Sequence, residues 1–346
     1  MTTTSKEVGQ ARTRLQGANN RLIGLVGRIR ELGLLAVLLL IVIVVSIQVP
    51  RFLAISNLEQ ILLSVAILAI VAVGETLVVL TRNVDLSVGS LVGLTAFVTA
   101  DLFKQQPGTS LILAILLGCS LGLVLGAING LLVAVGRVPA IVATLGTLYI
   151  FRGIDFYIAG GTQVSASDVP DSYLNLATAH IFGVPMLIIF AAIITVVFAY
   201  LLQYTRTGRQ LYAIGSNPDA ARLVGIRSQL LIFGAFMLSG LLCGFAGVLW
   251  GARFATVDAR AATGLELQVI AAVVVGGVNI FGGSGTIVGA VLGAIVLGTI
   301  DNSLTLLRLS QFWLQAIDGA AILAAVTIDA FITRWLQRVL ITRRLR

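Results

Sequence analysis

The chain has 346 residues, of which 58% are apolar or aromatic and only 11% charged, with a mean hydropathy of +1.03; water-soluble domains run near ~45–50% apolar and ~25% charged, so a pair of soluble domains is excluded. The net charge of +8 excludes little by itself, but its Lys and Arg do not form one stripe interleaved with aromatics, which rules out a nucleic-acid groove. One His excludes a His-Glu-x-x-His zinc site, and with only Lys6 and Lys104 there is no Gly-x-x-x-x-Gly-Lys phosphate loop.

A bilayer core of ~30 Å takes about 20 apolar helical residues per crossing, and ten stretches qualify. A basic segment, 1–32, comes first, and the apolar run after it ends in Val49-Pro50 without a small-x-small pattern, so no removed signal peptide is expected. The predicted spans are 33–49, 57–81, 84–103, 110–135, 138–160, 184–204, 229–251, 264–281, 286–307 and 312–333, followed by a basic tail, 334–346. The third begins with Asn83, Asp85, Ser87 and Ser90, polar enough for a broken or re-entrant start. Cys119 and Cys243 lie inside apolar runs and are packing residues rather than a disulfide pair.

Two connections are long. Residues 161–183 are rich in Gly, Ser, Asp and Pro, with a short helix expected around Ser172 to Ala179 and His180 solvated beyond it. Residues 205–228 contain Asn217-Pro218, an N-cap residue followed by a proline suited to the first helical position, and Gly225 is placed to end the helix they start. Orientation follows from charge: seventeen Lys and Arg fall on the side of the termini and of 205–228, and five, Arg51, Lys104, Arg253, Arg260 and Arg308, on the other. The positive-inside rule then puts both termini in the cytoplasm.

Glycines recur every four residues at Gly118, Gly122, Gly126 and Gly130 and at Gly285, Gly289 and Gly293, with the pairs Gly240/Gly244 and Gly89/Gly93. Such stripes serve tight helix packing or a sliding surface. Arg152 and Asp155, three apart, are expected to pair. Glu75, Asp301 and Asp318 have no such neighbour, and mark either a hydrophilic path or interhelical hydrogen bonds.

Thr81-Arg82-Asn83-Val84-Asp85-Leu86-Ser87-Val88-Gly89-Ser90 resembles the inner-membrane permeases of binding-protein-dependent sugar ABC importers, the ribose type. Val138-Pro139-Ala140 to Thr147 with Arg152-Gly153-Ile154 looks like that family's fifth span, and Gly276-Gly277 through Gly285 like its glycine hinge. Thr81-Arg82-Asn83 and Ile300-Asp301-Asn302-Ser303 to Arg308 look closest to its autoinducer-2 and rhamnose branch. The resemblance covers about residues 33–330.

It implies an all-α polytopic membrane helix bundle of about ten transmembrane helices, a type II (BtuC-like) ABC importer permease in the bacterial inner membrane. The implied partners are a second permease subunit, identical or not, two ATP-binding subunits or one fused double ATPase, and a periplasmic or lipid-anchored sugar-binding protein. Asp219-Ala220-Ala221 with Gly225 is similar to the Glu-Ala-Ala-x-x-x-Gly motif of such permeases, with Asp for Glu. ATPase coupling is thus expected at Arg206, Gly208, Tyr212, Asn217, Asp219, Ala220, Ala221 and Gly225; a solvated linker is the alternative. Asn83, Asp85, Ser87, Ser90, Thr144, Thr147, Asp301 and Asn302 are expected to line or brace the solute path, a weak polar lining that lets a neutral sugar leave. Neither catalytic residue, metal nor cofactor is expected. The rivals are a branched-chain amino-acid ABC permease and an ion-coupled secondary transporter using Glu75, Asp301 or Asp318.

Overall fold

A computed structural model describes residues 32–310 together with 312, 313, 315–317, 319, 320, 323, 324 and 327. The expected basic segment before residue 32, most of the predicted span 312–333 with Asp318, and the tail 334–346 lie outside the described residues.

The elements are α1 (Leu32–Gln48), α2 (Ile55–Leu80), α3 (Val88–Gln105), α4 (Leu111–Gly130, continued as a π turn over Leu131–Val135), α5 (Ala140–Ala159) and α6 (Asp171–Thr178). They continue as β1 (His180–Ile181), β2 (Val184–Pro185), α7 (Met186–Tyr204), α8 (Arg206–Ser216), α9 (Pro218–Leu223), α10 (Ser228–Phe254), α11 (Leu265–Val275) and α12 (Ile287–Leu306). Six of these helices, α2, α4, α5, α7, α10 and α12, are long and apolar enough to cross a membrane. The fold is mostly helical, consistent with a polytopic membrane protein, and its only strands among the described residues form the two-residue hairpin β1–β2.

Two predicted spans are reshaped by their own sequence. The stretch 264–281 keeps helix only as far as Val275, because Gly277, Gly282, Gly283 and Gly285 adopt positive φ and turn the chain into a loop. At 1.5 Å per residue α11 is about 16 Å long, half a bilayer core. The third stretch begins its helix at Val88 after a non-helical run over 83–87, as its polar start predicts.

At the centre lies α2, whose residues from Val65 to Leu80 are all buried. The α4–α10 contact is backbone on backbone: a Cβ on Gly122 would collide with the carbonyl of Gly240 and with Gly244, and one on Gly240 with the carbonyl of Gly122. A hydrogen is all that fits at those positions, so the spacing of four is a packing requirement.

In the long connection before α7, α6 falls within one residue of the expected helix. His180 is not merely solvated there: its Nε2 lies 3.1 Å from Glu59 Oε1 near the start of α2. That end of α2 also carries a pair between Gln60 and Arg253.

Candidate functional site

After Leu80 the chain reverses. Arg82 takes a left-handed φ of 67°, Asn83 Nδ2 donates to the Thr81 carbonyl and hydroxyl at 3.0 and 2.9 Å, and the Asp85 amide reaches back to Glu75 Oε1 at 3.0 Å. The segment thus re-enters the bundle to the depth of Glu75 before α3 starts. Buried backbone and carboxyl groups need partners there, and the neighbouring helices supply them. The Leu86 amide donates to Thr144 Oγ1 at 3.1 Å, and Ser87 gives both its amide and its hydroxyl to Asp85 Oδ1 at 2.9 and 2.6 Å. Asn129 Nδ2 donates to Ser87 Oγ and Thr147 Oγ1 donates to Asn129 Oδ1, both at 2.7 Å. Ser90 Oγ returns to the Ser87 carbonyl at 2.8 Å. The result is a polar hub that joins α2, α3, α4 and α5.

Every member of this hub is buried: Glu75, Asp85, Ser87, Ser90, Asn129 and Thr144 have no exposure, and Thr147 has 3%. Ser87 and Ser90, expected to line or brace the path, are enclosed within the hub in this conformation. Only Asn83 reaches open space, on the wall of a cleft of about 780 Å³ at the α8–α9 end. Asn129 is not among the residues expected at the path, although an Asn inside the apolar run of α4 is itself a signal.

Asp301 and Asn302 part company. Asn302 exchanges two hydrogen bonds with Asn57, at 3.1 and 3.0 Å, and is a packing contact between α12 and α2. Asp301 lines a cavity of about 240 Å³ with Ser64, Gln268, Trp250 and Phe254, the two rings 4.5 Å apart between centroids. An aromatic wall with a few convergent polar groups is what small-solute pockets are made of. Arg152 and Asp155 pair at 3.7 Å as expected, and Arg152 Nη1 also donates to the carbonyls of Ala259 and Ala261, at 3.0 and 2.7 Å, holding the turn before α11.

The long segment after α7 makes two helices where only the second was expected. Thr205 caps α8 by accepting from the Gly208 amide at 3.1 Å. Asn217 caps α9 by accepting from the Ala220 amide at 3.0 Å, with Pro218 at the first position. Gly225, at a φ of +80°, ends α9. Arg206, Asp219, Ala220 and Gly225 are exposed and Ala221 is buried. Leu223 and Val224 protrude beside them, at 89% and 75% exposure. Gly208 is buried against Leu202.

This pair of helices is fastened to the bundle at three points. Arg82 donates through Nε to the Gly215 carbonyl and through Nη2 to that of Ser216. Tyr212 donates its hydroxyl to the Gly285 carbonyl at 2.8 Å, and burial pushes that phenol's pKa up, which keeps it a donor. A Cβ on Gly215 would strike the Leu80 carbonyl and the Gly283 amide, so α8 lies flush on both the end of α2 and the glycine loop. Residues expected for coupling and those expected for the path are therefore linked through Arg82, which the sequence reading did not assign. Among the described residues, no group of three or more His, Cys, Asp or Glu is placed to hold a metal.

Comparison with known proteins identifies the family. The family model described as "Branched-chain amino acid transport system / permease component" matches residues 57–326. The probable ABC transporter permease protein y4mJ of Sinorhizobium fredii is 40% identical over 89% of this chain and 92% of its own. The autoinducer 2 import system permease protein LsrC of Escherichia coli is 38% identical over 89% of each chain, and the ribose import permease protein RbsC of Escherichia coli is 38% identical over 86% of this chain and 92% of its own. No solved structure matches the chain. The chain belongs to that permease family and is the multi-pass membrane subunit of an ABC transporter, a transport subunit rather than an enzyme.

Proposed function

We propose that the protein is the permease of an ATP-driven importer for a neutral sugar or sugar-like solute of the ribose, rhamnose or autoinducer-2 class. The observation that carries this is the 38% identity to the ribose and autoinducer 2 import permeases along almost the whole chain. In this reading both termini and α8–α9 are cytoplasmic, ten helices cross the bilayer in the type II arrangement, and two permease subunits, identical or not, face one another. A separate ATPase docks on α9 through Asp219, Ala220, Leu223 and Val224, and a binding protein delivers solute at the β1–β2 end.

The geometry supports a mechanical sequence. Movement of α9 is passed by α8 to Arg82, Tyr212 and the glycine loop, and from Arg82 to the re-entrant segment that the buried hub holds. Asp85, Ser87, Ser90, Thr144 and Thr147 then act as the brace that makes this segment move as a unit. Asp301 with Trp250 forms a contact along the path, and Asn302 a packing bond beside it.

The family description favours a second reading, branched-chain amino acids. Reconstitution of the full chain with its ATPase and binding protein in proteoliposomes separates the cases. ATP-dependent accumulation of labelled D-ribose, L-rhamnose or autoinducer 2, unaffected by a protonophore, is expected. ATP-dependent leucine uptake with no sugar uptake selects the amino-acid reading. Uptake that persists without ATP and collapses with a protonophore overturns both in favour of ion coupling.

A further inference from the structure

The cleft that Asn83 borders has an unusual wall. Arg137, Arg222 and Arg227 line it, from the loop before α5, the last turn of α9 and the N-cap of α10, and no Asp or Glu does. All three arginines are exposed, and among the described residues none has a side-chain hydrogen bond or an ion pair. Arg227 sits where a helix carries partial positive charge, and no side chain caps that turn. The wall therefore presents three cations and a helix end to whatever occupies the cleft.

The rest of the cleft says which occupant. The rest of the lining is mostly apolar, with Val133, Val138, Pro139, Leu230 and Ile232 in it and Ser228 and Gln229 as polar exceptions besides Asn83, and Leu131 and Val135 of the π turn that carries Val133 are exposed. The cationic mouth therefore lies where two apolar helices, α5 and α10, begin, with a greasy strip on the turn that ends a third. A free phosphate has no use for the strip, and an acidic protein segment has little. A phospholipid uses both, its head group among the arginines and its acyl chains along α4.

We propose that this cleft is a binding site for an anionic phospholipid, seated between α9 and the ends of α4 and α10. The site depends neither on the identity of the solute nor on which face is cytoplasmic, since it is defined by the three arginines and the apolar strip alone. Its occupant would touch Arg222 on α9, so the lipid would be in direct contact with the segment assigned above to the ATPase.

The full chain, purified and freed of endogenous lipid, is titrated with phosphatidylglycerol, cardiolipin or phosphatidylcholine and the bound lipids are counted by native mass spectrometry. Retention of the two anionic lipids over phosphatidylcholine is expected. The triple variant Arg137→Gln, Arg222→Gln, Arg227→Gln should bind phosphatidylglycerol about a hundredfold more weakly, at roughly fivefold per arginine. The triple Lys variant should stay within about threefold of wild type and shows that the Gln effect is charge rather than misfolding. Equal binding of all three lipids by the wild type overturns the site, as does undiminished phosphatidylglycerol binding by the Gln variant. Inorganic phosphate that competes the lipid off at equal concentration shows that the strip contributes nothing, and overturns the lipid assignment. Loss of ATPase co-purification in the Gln variant, with lipid binding unchanged, assigns the cleft to the ATPase instead.

Discussion

The guanidinium of Arg82 donates through Nε to the carbonyl of Gly215, 2.6 Å away and 133 residues along the chain, and its Nη2 reaches the next carbonyl, Ser216, at 2.9 Å. This fork closes the end of α8, where Gly215 leaves no room for a side chain, onto the start of the re-entrant segment. A planar guanidinium can satisfy two adjacent carbonyls at once, which a lysine ammonium does less well.

Arg82→Ala should lower ATP-driven solute uptake by about tenfold while leaving the protein inserted, since the two hydrogen bonds it removes, one partly buried and one exposed, are worth about 1 kcal/mol each in stability. Arg82→Lys should fall between. The check is the ratio of solute moved to ATP hydrolysed in proteoliposomes; a ratio equal to wild type in the Ala variant removes Arg82 from the transmission.

Asn129 is the centre of the buried hub, taking one hydrogen bond from Thr147 and giving one to Ser87. Asn129→Leu removes the amide that also reaches Asp85 Oδ2 at 3.5 Å and leaves that buried carboxylate oxygen without a partner, at ~1–3 kcal/mol, while the Ser87 and Thr147 hydroxyls keep Asp85 Oδ1 and the Thr144 carbonyl. Thr147→Val orphans only the Asn129 oxygen, a neutral acceptor, and should cost less. Thermal unfolding followed by size-exclusion chromatography should rank the variants in that order, both below wild type.

Accessibility makes a separate test of the same hub. Cysteines introduced at Ser87 and Ser90 should resist a small water-soluble thiol reagent in the conformation described, and one at Asn83 should react. Rapid labelling at Ser87 without added nucleotide would mean that the segment lines water instead of bracing the helices.

Glycines that look alike in the sequence should behave differently. Gly122→Leu must push α4 off α10 and should abolish folded protein. Gly146 in α5 meets nothing within 4 Å inside the chain, so Gly146→Ala should leave the amount and monodispersity of purified protein within about twofold of wild type.

In the cavity near the start of α2, Trp250→Ala should reduce uptake by about fivefold with ATP hydrolysis unchanged, because an aromatic wall is lost while the coupling segment is untouched. Trp250→Phe should retain most of the activity, and Asp301→Asn should lower uptake less than Trp250→Ala. Uptake by Trp250→Ala equal to wild type would place the path elsewhere.

Local chemistry was legible in the sequence, and distant contacts were not. Asn217, Pro218 and Gly225 carry their helix within nine residues, and the structure has α9 between them. The polar run from Asn83 to Ser90 signals a broken start, and α3 indeed begins only at Val88. By contrast, the predicted eighth span counted Gly276 to Phe281 as apolar helix, because a hydropathy window weighs burial and not the positive φ that the glycine-rich run adopts. The roles of Arg82 and Asn129 depend on partners far away in the chain, and no periodicity reports those. Glu75 reads as unpartnered because its partner is a backbone amide, that of Asp85.

The glycine contact between α4 and α10 limits how this molecule can change shape. Side-chain interfaces have alternative rotamers and can repack in more than one register, but backbone against backbone offers one arrangement. A shift of either helix by one residue, about 1.5 Å, would drive a neighbouring Cβ into a carbonyl where only a hydrogen fits. The two helices are therefore a single keel, and α11 with α12 is a second one, since a Cβ on Gly289 or Gly293 would strike the carbonyl of Gly276 or Ala272; a change of shape has to carry each pair as a unit.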